Sequence, residues 1–544
     1  MSTVSLSTQA NQITEIRLQS RSVYKDPFNE ITLDAIFIDP SGTTRKIPAF
    51  WAGSDIWCIR YASPILGLHY FTTVCSDTGN AGLHDYTGVI EVILYNGDNP
   101  LWRHGAPRVA DDNRHFAHAD GTPFFWLGDT WWMGLTKRLS WPNEFQQLTK
   151  DRVSKGFSVV QIVAGLLPDM AAFDVRGANE NGFPWEENYS SIRPQFFDAA
   201  DTRMMHLVAQ GIVPCILGGW GYYLFWLGTD KMKQHWRYLV ARWGALPVIW
   251  AVAGEQTMPW YLSKTREADS ARLKQGWTEV TRYLRQIDGF GRMITTHPHH
   301  SARESVDDPS LLDFEMQQTG HRNPTLLHAN SAVEGWQGSP VMPVVNGESR
   351  YEALDILPSV TTKNTRQAFW AHLLNSGCAG HTYGANGVWQ VNRHGAPFGK
   401  SPGGNNWGEM PWDKAIHLSG SHQLALAKNF LLGLTWYQLE GAGIRLNWKQ
   451  KLTSLIFRCH QTPISAAIAC DKSLALYYLL SAQPYRQNME VFPAPVIASW
   501  FDPTNGEIIP ISGSTIANKG KYQFTPPPKN ADGESDWLLV LQSQ

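Results

Sequence analysis

The first hundred residues alternate apolar and polar positions in short runs broken by turn residues. EITLDAIFID is followed by PSG, KIPAFW by AGSD, IWCIRYA by SPILG and HYFTTVCS by DTGN, and GVIEVILYNG closes the series. Such runs, separated by Gly, Pro and Asp, predict an antiparallel β-sandwich. Near Arg114 the rhythm changes to continuous apolar runs, most of them followed by a stretch with helical spacing. FFWLGDT (124–130) precedes a helix that Ser140 can cap, Pro142 can enter and Gly156 can end. SVVQIVA (158–164), a helix over 195–210, IVPCILGG (212–219), a helix over 231–243, PVIWAVAGE (247–255) and a helix over 268–287 continue the series. MITTHP (293–298), LLDFEMQQ (311–318) and PVVNGES (343–349) follow, then a helix over 362–376, AGHTYG (379–384) and a helix over 418–434. Eight strand candidates, mostly paired with helices, predict a (β/α)8 barrel. The last hundred residues return to strands, namely KLTSLIFRCH, AAIACD, SLALYYLLS, VIASWFDPTNGEIIPI and WLLVLQSQ, with turn chemistry in Pro-Thr-Asn-Gly at 503–506. The expected fold class is multidomain α/β: a TIM barrel (108–440) flanked by an N-terminal β-sandwich (1–107) and a C-terminal β-sandwich (441–544).

Reacting groups of such a barrel come from the C-terminal ends of its strands. The tips here are Asp129, Gln161, Trp220, Glu255, His297, Gln317 with Gln318, Glu348, and His381 with Tyr383. Glu255 ends the fourth run after Gly254, and Glu348 ends the seventh after Gly347, across the mouth. Two carboxyl groups flanking one bond suit glycoside hydrolysis, with retention at a separation of about 5–5.5 Å and inversion at about 6.5–9.5 Å. Glu255 and Glu348 are the candidate catalytic pair, one to protonate the leaving oxygen and one to meet the anomeric carbon, with Tyr351 or Arg350 as a donor beside Glu348. Asp129 at the first tip could accept sugar hydroxyls, with Trp131 or Trp132 stacking beside it; a plain loop-capping role for Asp129 is the alternative. Trp220, Trp389 and Trp407 fall in Gly-rich loops and are candidate sugar platforms, whereas Trp126, Trp243 and Trp277 read as packing residues. Gln161, His297, Gln318, Tyr351 and Tyr383 complete the candidate substrate contacts.

Composition narrows the partners. Lys and Arg number 46 against 48 Asp and Glu, so there is no positive field for a nucleic-acid backbone. The 24 Trp suit either a large core or sugar stacking, and a neutral sugar needs no field. A carbohydrate substrate is expected, and neither nucleic acid nor a membrane, since no run approaches a membrane span. Six cysteines are scattered singly; Cys58 and Cys75 could face each other on neighbouring strands. With no leader pattern at its start the chain is expected in the cytoplasm, or outside the cell or in the periplasm if that start is trimmed. His297-Pro298-His299-His300 raises a metal site, but a His pair at the first tip and an Asp at the last are missing, so no metal or cofactor is expected. Two alternatives stay open: a catalytically inactive carbohydrate-binding barrel, and a metal-dependent barrel hydrolase using His297 and His299.

TPFFWLGDTWW, SKGFSVVQIV, LPVIWAVAGE, PVVNGESRYE and AGHTYGANGVWQ together resemble the apiosidase-like glycoside hydrolases of family 140. The likeness extends to the flanks, through Asp98–Gly105 and Phe501–Glu507. It implies a (β/α)8 glycosidase with a β-sandwich on each side, acid/base at the end of strand four and nucleophile at the end of strand seven, hence Glu255 and Glu348. The expected activity is exo-acting, retaining hydrolysis of a plant-type oligosaccharide or glycoside.

Overall fold

A computed structural model describes residues 4–322, 325–356, 358–442, 465–511 and 515–544. The strand expected at KLTSLIFRCH (451–460), with Cys459, lies outside the described residues. Two sheets face each other in the N-terminal part. One runs in the order Val4–Gln9, Thr87–Ile93, Gly67–Cys75, Leu33–Ile38, Thr44–Pro48, and the other Thr14–Gln19, Ile56–Tyr61, Phe50–Gly53. Alternation sets the faces: in Gly67–Cys75, His69, Phe71, Thr73 and Cys75 are buried while Leu68, Tyr70 and Val74 are exposed. The expected antiparallel arrangement needs one correction, because Val4–Gln9 runs parallel to Thr87–Ile93. No tight turn joins these two strands, so nothing local dictates their relative direction. Cys58 and Cys75 do not meet. They lie on different sheets, Cys58 packed against the barrel core and Cys75 in the sandwich core, and both are free thiols.

The barrel strands are β1 (Trp126–Trp131), β2 (Val159–Val163), β3 (Val213–Leu217), β4 (Ile249–Ala251), β5 (Ile294–Thr295), β6 (Glu315–Gln318), β7 (Val344–Glu348) and β8 (Gly380–Tyr383). Their order is β5-β4-β3-β2-β1-β8-β7-β6, parallel at every pairing. Strands covered on both faces can be apolar throughout, and every residue of β2 and β3 is buried. The seam between β5 and β6 closes by other means. Asp313 N donates to Ile294 O (2.8 Å), Ile294 N donates to Asp313 Oδ2 (2.6 Å), and Thr295 Oγ1 donates to Phe314 O (2.9 Å).

Helices Asn143–Ser154, Pro194–Ala209, Tyr223–Trp243, Arg266–Ile287, Thr362–Leu373 and Ser419–Leu432 occupy the regions read as helical. A further helix, Thr325–Gln337, precedes β7 and was not expected. Its buried face is His328, Ala329, Ala332, Gly335 and Trp336, too small and polar to register as an apolar stripe. Among the described residues the C-terminal part is a six-stranded antiparallel sheet, Leu439–Gly441, Ser465–Ala469, Leu474–Leu479, Trp537–Ser543, Val496–Phe501 and Ile508–Pro510 in that order, accompanied by a two-stranded ribbon, Tyr485–Asn488 with Lys521–Phe524. The 503–506 turn joins Val496–Phe501 to Ile508–Pro510, with Gly506 at φ +80°, a conformation suited to glycine. Arg366 anchors this sheet to the barrel through a buried fork on Asp536, Nε to Oδ2 and Nη2 to Oδ1, each 2.9 Å.

Asp129 is fully buried rather than open at the first tip. Its Oδ1 accepts from Thr130 N (2.9 Å), and its Oδ2 accepts from Arg152 Nε (2.6 Å) and Trp131 Nε1 (2.7 Å). Trp131 is drawn into the core with it, 0% exposed, so neither residue forms the expected sugar contact. Both side chains of the Arg152–Asp129 pair are removed from water, and Asp129→Ala would leave the guanidinium with Asp151 as its remaining carboxylate and the Trp131 indole N–H without its acceptor. That substitution should lower folding stability by about 3–5 kcal/mol, read as an earlier midpoint of urea unfolding. An unchanged midpoint with weakened sugar binding would instead return Asp129 to the cleft.

Candidate active site

Glu348 ends β7 and Gln318 ends β6, and a bulge brings them face to face. Gln317 pairs with Asn346, but Gln318 pairs with Glu348, skipping Gly347. A bulge of this kind re-aims a side chain at a strand end. Gln161 donates its Nε2 to the carbonyl of Gly347 (2.7 Å). Gln161 is therefore spanning the barrel interior, fully buried, and not contacting the cleft as expected. The Gln318 amide donates to both candidate catalytic carboxylates, to Glu348 Oε1 at 3.0 Å and Glu255 Oε1 at 3.1 Å. The two oxygens cannot be farther apart than these bonds laid end to end, and amide N–H directions about 120° apart place them about 5 Å from each other.

Glu255 stands four residues beyond β4 with φ +38°, a left-handed conformation costly for a residue with a Cβ. Neighbouring backbone fixes it: Gly221 N donates to Gly254 O (2.7 Å) and Met258 N to Glu255 O (2.7 Å). Trp220 Nε1 donates to Glu255 Oε2 at 3.3 Å. The indole lies so close over Gly254 that a Cβ there would sit 2.2 Å from the ring. His299 Nδ1 is 3.5 Å from Glu255 Oε1, and this carboxylate raises the imidazole pKa.

Glu348 is 6% exposed and ringed by partners from three strand ends. His297 Nε2 lies 3.4 Å from Oε2 and His321 Nε2 lies 3.2 Å from Oε1, with His321 Nδ1 on Ser349 O (2.8 Å). Burial alone would push this carboxyl up. The two imidazoles act the other way and prevail, holding Glu348 well below the usual carboxylate range. Tyr351 also faces Glu348, and burial followed by that charge raises its phenol far above the ordinary value.

The cleft above these groups has a volume of about 450 Å³. Of the expected contacts, Trp220, Gln318, Tyr351, Trp389 and Trp407 line it. The indole N–H groups of Trp389 and Trp407 are buried and have no partner among the described residues. His297 lies beneath the floor, fully buried, its ring edge-on to Trp132 at 5.1 Å between centroids. Tyr383 is another correction: its hydroxyl donates to Glu352 Oε2 (2.6 Å), drawn behind the barrel wall by that buried carboxylate. Trp132, the alternative to Trp131, is the one in the cleft.

Sequence reasoning passed over Asp169, Tyr261 and His321, which also line the cleft. They sit in loops that follow β2, β4 and β6, where no apolar run marks the register. The histidine string does not form a metal cage. His297 faces Glu348, His299 faces Glu255, and His300 packs on His299 at 4.5 Å; among the described residues no three His, Cys, Asp or Glu side chains group to hold an ion. No helix among the described residues is long and apolar enough to cross a membrane.

Residues 110–438 match the family "Apiosidase-like, catalytic domain". The chain belongs to the apiosidase-like family of glycoside hydrolases. Residues 8–76 match a domain of unknown function, and residues 453–542 one described as "Putative collagen-binding domain of a collagenase". No curated protein matches in sequence. Among solved structures, the chain resembles a glycoside hydrolase family 5 protein from Bacteroides vulgatus with 20% identity and a TM-score of 0.66, covering 81% of this chain and 94% of that one. It also resembles a "putative glycoside hydrolase" from the same organism with 14% identity and a TM-score of 0.70, covering 99% and 100%. At these identities the likeness is one of fold.

The lowered pKa of Glu348 sets the sign of a pH effect. A carboxyl held lower in the folded than in the unfolded state stabilises the fold above the ordinary carboxylate range and loses that contribution on acidification. The stability difference between wild type and Glu348→Gln should therefore narrow as pH falls below about 4.5. Thermal midpoints across pH 7 to 3 measure it, and parallel curves would contradict a charge-compensated Glu348.

Proposed function

We propose that this glycoside hydrolase is exo-acting and retaining, with Glu348 as nucleophile and Glu255 as acid/base. The observation that carries the reading is the single Gln318 amide donating to both carboxylates, which supports the short spacing of a double-displacement site over the longer gap that admits a water between carboxyl and sugar. Glu348 is the better nucleophile because its charge is held by His297 and His321. Glu255 is the better proton carrier because it stands at the more exposed edge, reached by His299 and Trp220. In the first step a Glu348 oxygen attacks the anomeric carbon while Glu255 passes its proton to the leaving oxygen. In the second Glu255 takes a proton from water, which displaces Glu348.

The size of the cleft, with room for one or two rings between Trp132, Trp220, Trp389 and Trp407, supports exo action. Family membership makes a plant-type oligosaccharide or glycoside the proposed substrate, with release of a terminal sugar.

A panel of aryl glycosides and plant oligosaccharides, read by product chromatography and by NMR of the first-formed anomer, tests this reading. Glu348→Ala should abolish turnover even of a dinitrophenyl glycoside. Glu255→Ala should lose on the order of 10²–10⁴-fold on poor leaving groups and far less on activated ones. Net inversion, near-normal rates in Glu348→Ala, or equal losses of Glu255→Ala on both leaving groups would each refute the assignment.

A further inference from the structure

A third carboxylate lines the same cleft and has no part in the two steps above. Asp169 lies in the loop after β2, 8% exposed, with φ +57°. A left-handed aspartate persists only where its surroundings insist on it, and here they do. Tyr222 donates its hydroxyl to Leu167 O (3.0 Å) and lies 3.4 Å from Met170 O, clamping the chain on both sides of Asp169. Arg176 Nη2 reaches Asp169 O at 3.4 Å. Tyr261 completes the clamp: its hydroxyl accepts from Asp169 N (3.1 Å) and donates to Asp169 Oδ1 (3.0 Å).

One oxygen of Asp169 is thus fixed, while among the described residues no donor reaches Oδ2. The geometry points to Asp169 as a specificity residue whose Oδ2 accepts one hydroxyl of the sugar in the cleft, with Tyr261 as the positioning residue that aims it. This assignment rests on the cleft being the glycosidase site proposed above. Electrostatics agree with it. Burial pushes the Asp169 carboxyl up to about 7, aided by the charges of Glu255 and Glu348, while the Tyr261 hydrogen bond and Arg176 act in the opposite direction. A donor at Oδ2 favours the charged form against that burial, and a sugar hydroxyl supplies one. Held in place before any ligand arrives, it needs no rearrangement to make that bond.

Asp169→Asn is the discriminating variant, since Asn tolerates the left-handed backbone and retains an oxygen for Tyr261. On a Glu348→Gln background, calorimetry measures binding of the 4-nitrophenyl glycoside that the panel shows to bind best, together with its monodeoxy derivatives. Asp169→Asn should weaken the parent glycoside about 10- to 100-fold and leave one monodeoxy derivative, the one lacking the recognised hydroxyl, unaffected. Tyr261→Phe should show a smaller loss with the same dependence on that hydroxyl. A loss uniform across the series, or no loss, overturns the inference, and thermal midpoints separate misfolding from lost recognition. Because the readout is affinity, it stands if Glu348 is not the nucleophile; that failure shows separately, as product formed by the Glu348→Gln protein.

Discussion

Keeping a carboxylate charged in a nearly dry pocket is the constraint on which the rest of this structure turns. Taking Glu348 out of water is unfavourable by itself, and the offset comes from His297 beyond β5, His321 beyond β6 and the Gln318 amide at the end of β6. None of these reaches Glu348 unless the sheet closes. The β5–β6 seam, where Asp313 replaces the regular ladder with its own backbone and side chain, is therefore part of the site's electrostatics as well as of the fold. The β6–β7 bulge belongs to the same set, because a regular register would place Gln318 opposite Gly347.

Much of this was legible in the chain. Period-two runs and eight apolar segments with helical spacing between them give the sheet-rich flanks and the barrel, because burial on one face or on both leaves a direct trace in residue choice. Glu255 and Glu348 stood out because each follows a glycine at the end of such a run. The helix Thr325–Gln337 escaped because its inner face, apart from Trp336, is built from Ala, Gly and His. Asp129 and Gln161, read as strand tips, lie inside β1 and β2, and they face away from the cleft, as do Trp131 and Tyr383 at the ends of β1 and β8. A strand residue can be claimed by a distant partner, Arg152 for Asp129, the Gly347 carbonyl for Gln161 and Glu352 for Tyr383, and such partners cannot be read from spacing. Asp169, Tyr261 and His321 were invisible for the complementary reason, since they lie on loops whose course is set by packing.

The aromatic surplus divides along the same line. Trp126, Trp131, Trp243 and Trp277 are 0% exposed and fill the core, while Trp132, Trp220, Trp389 and Trp407 surround the cleft. The glycine-rich loops let large rings approach backbone closely, as Trp220 does over Gly254. Indole rings interleaved with carboxylate, imidazole and amide groups suit a neutral, many-hydroxyl ligand, which has both apolar faces and hydroxyls to satisfy.

The Gln318 amide also ties the two carboxylates of the cleft to each other. Its two N–H groups already occupy the oxygens that a sugar would approach, so entry of a ligand is an exchange of partners. Measured affinity then reports a difference between two hydrogen-bonded states. One side chain thereby holds both carboxylates in register.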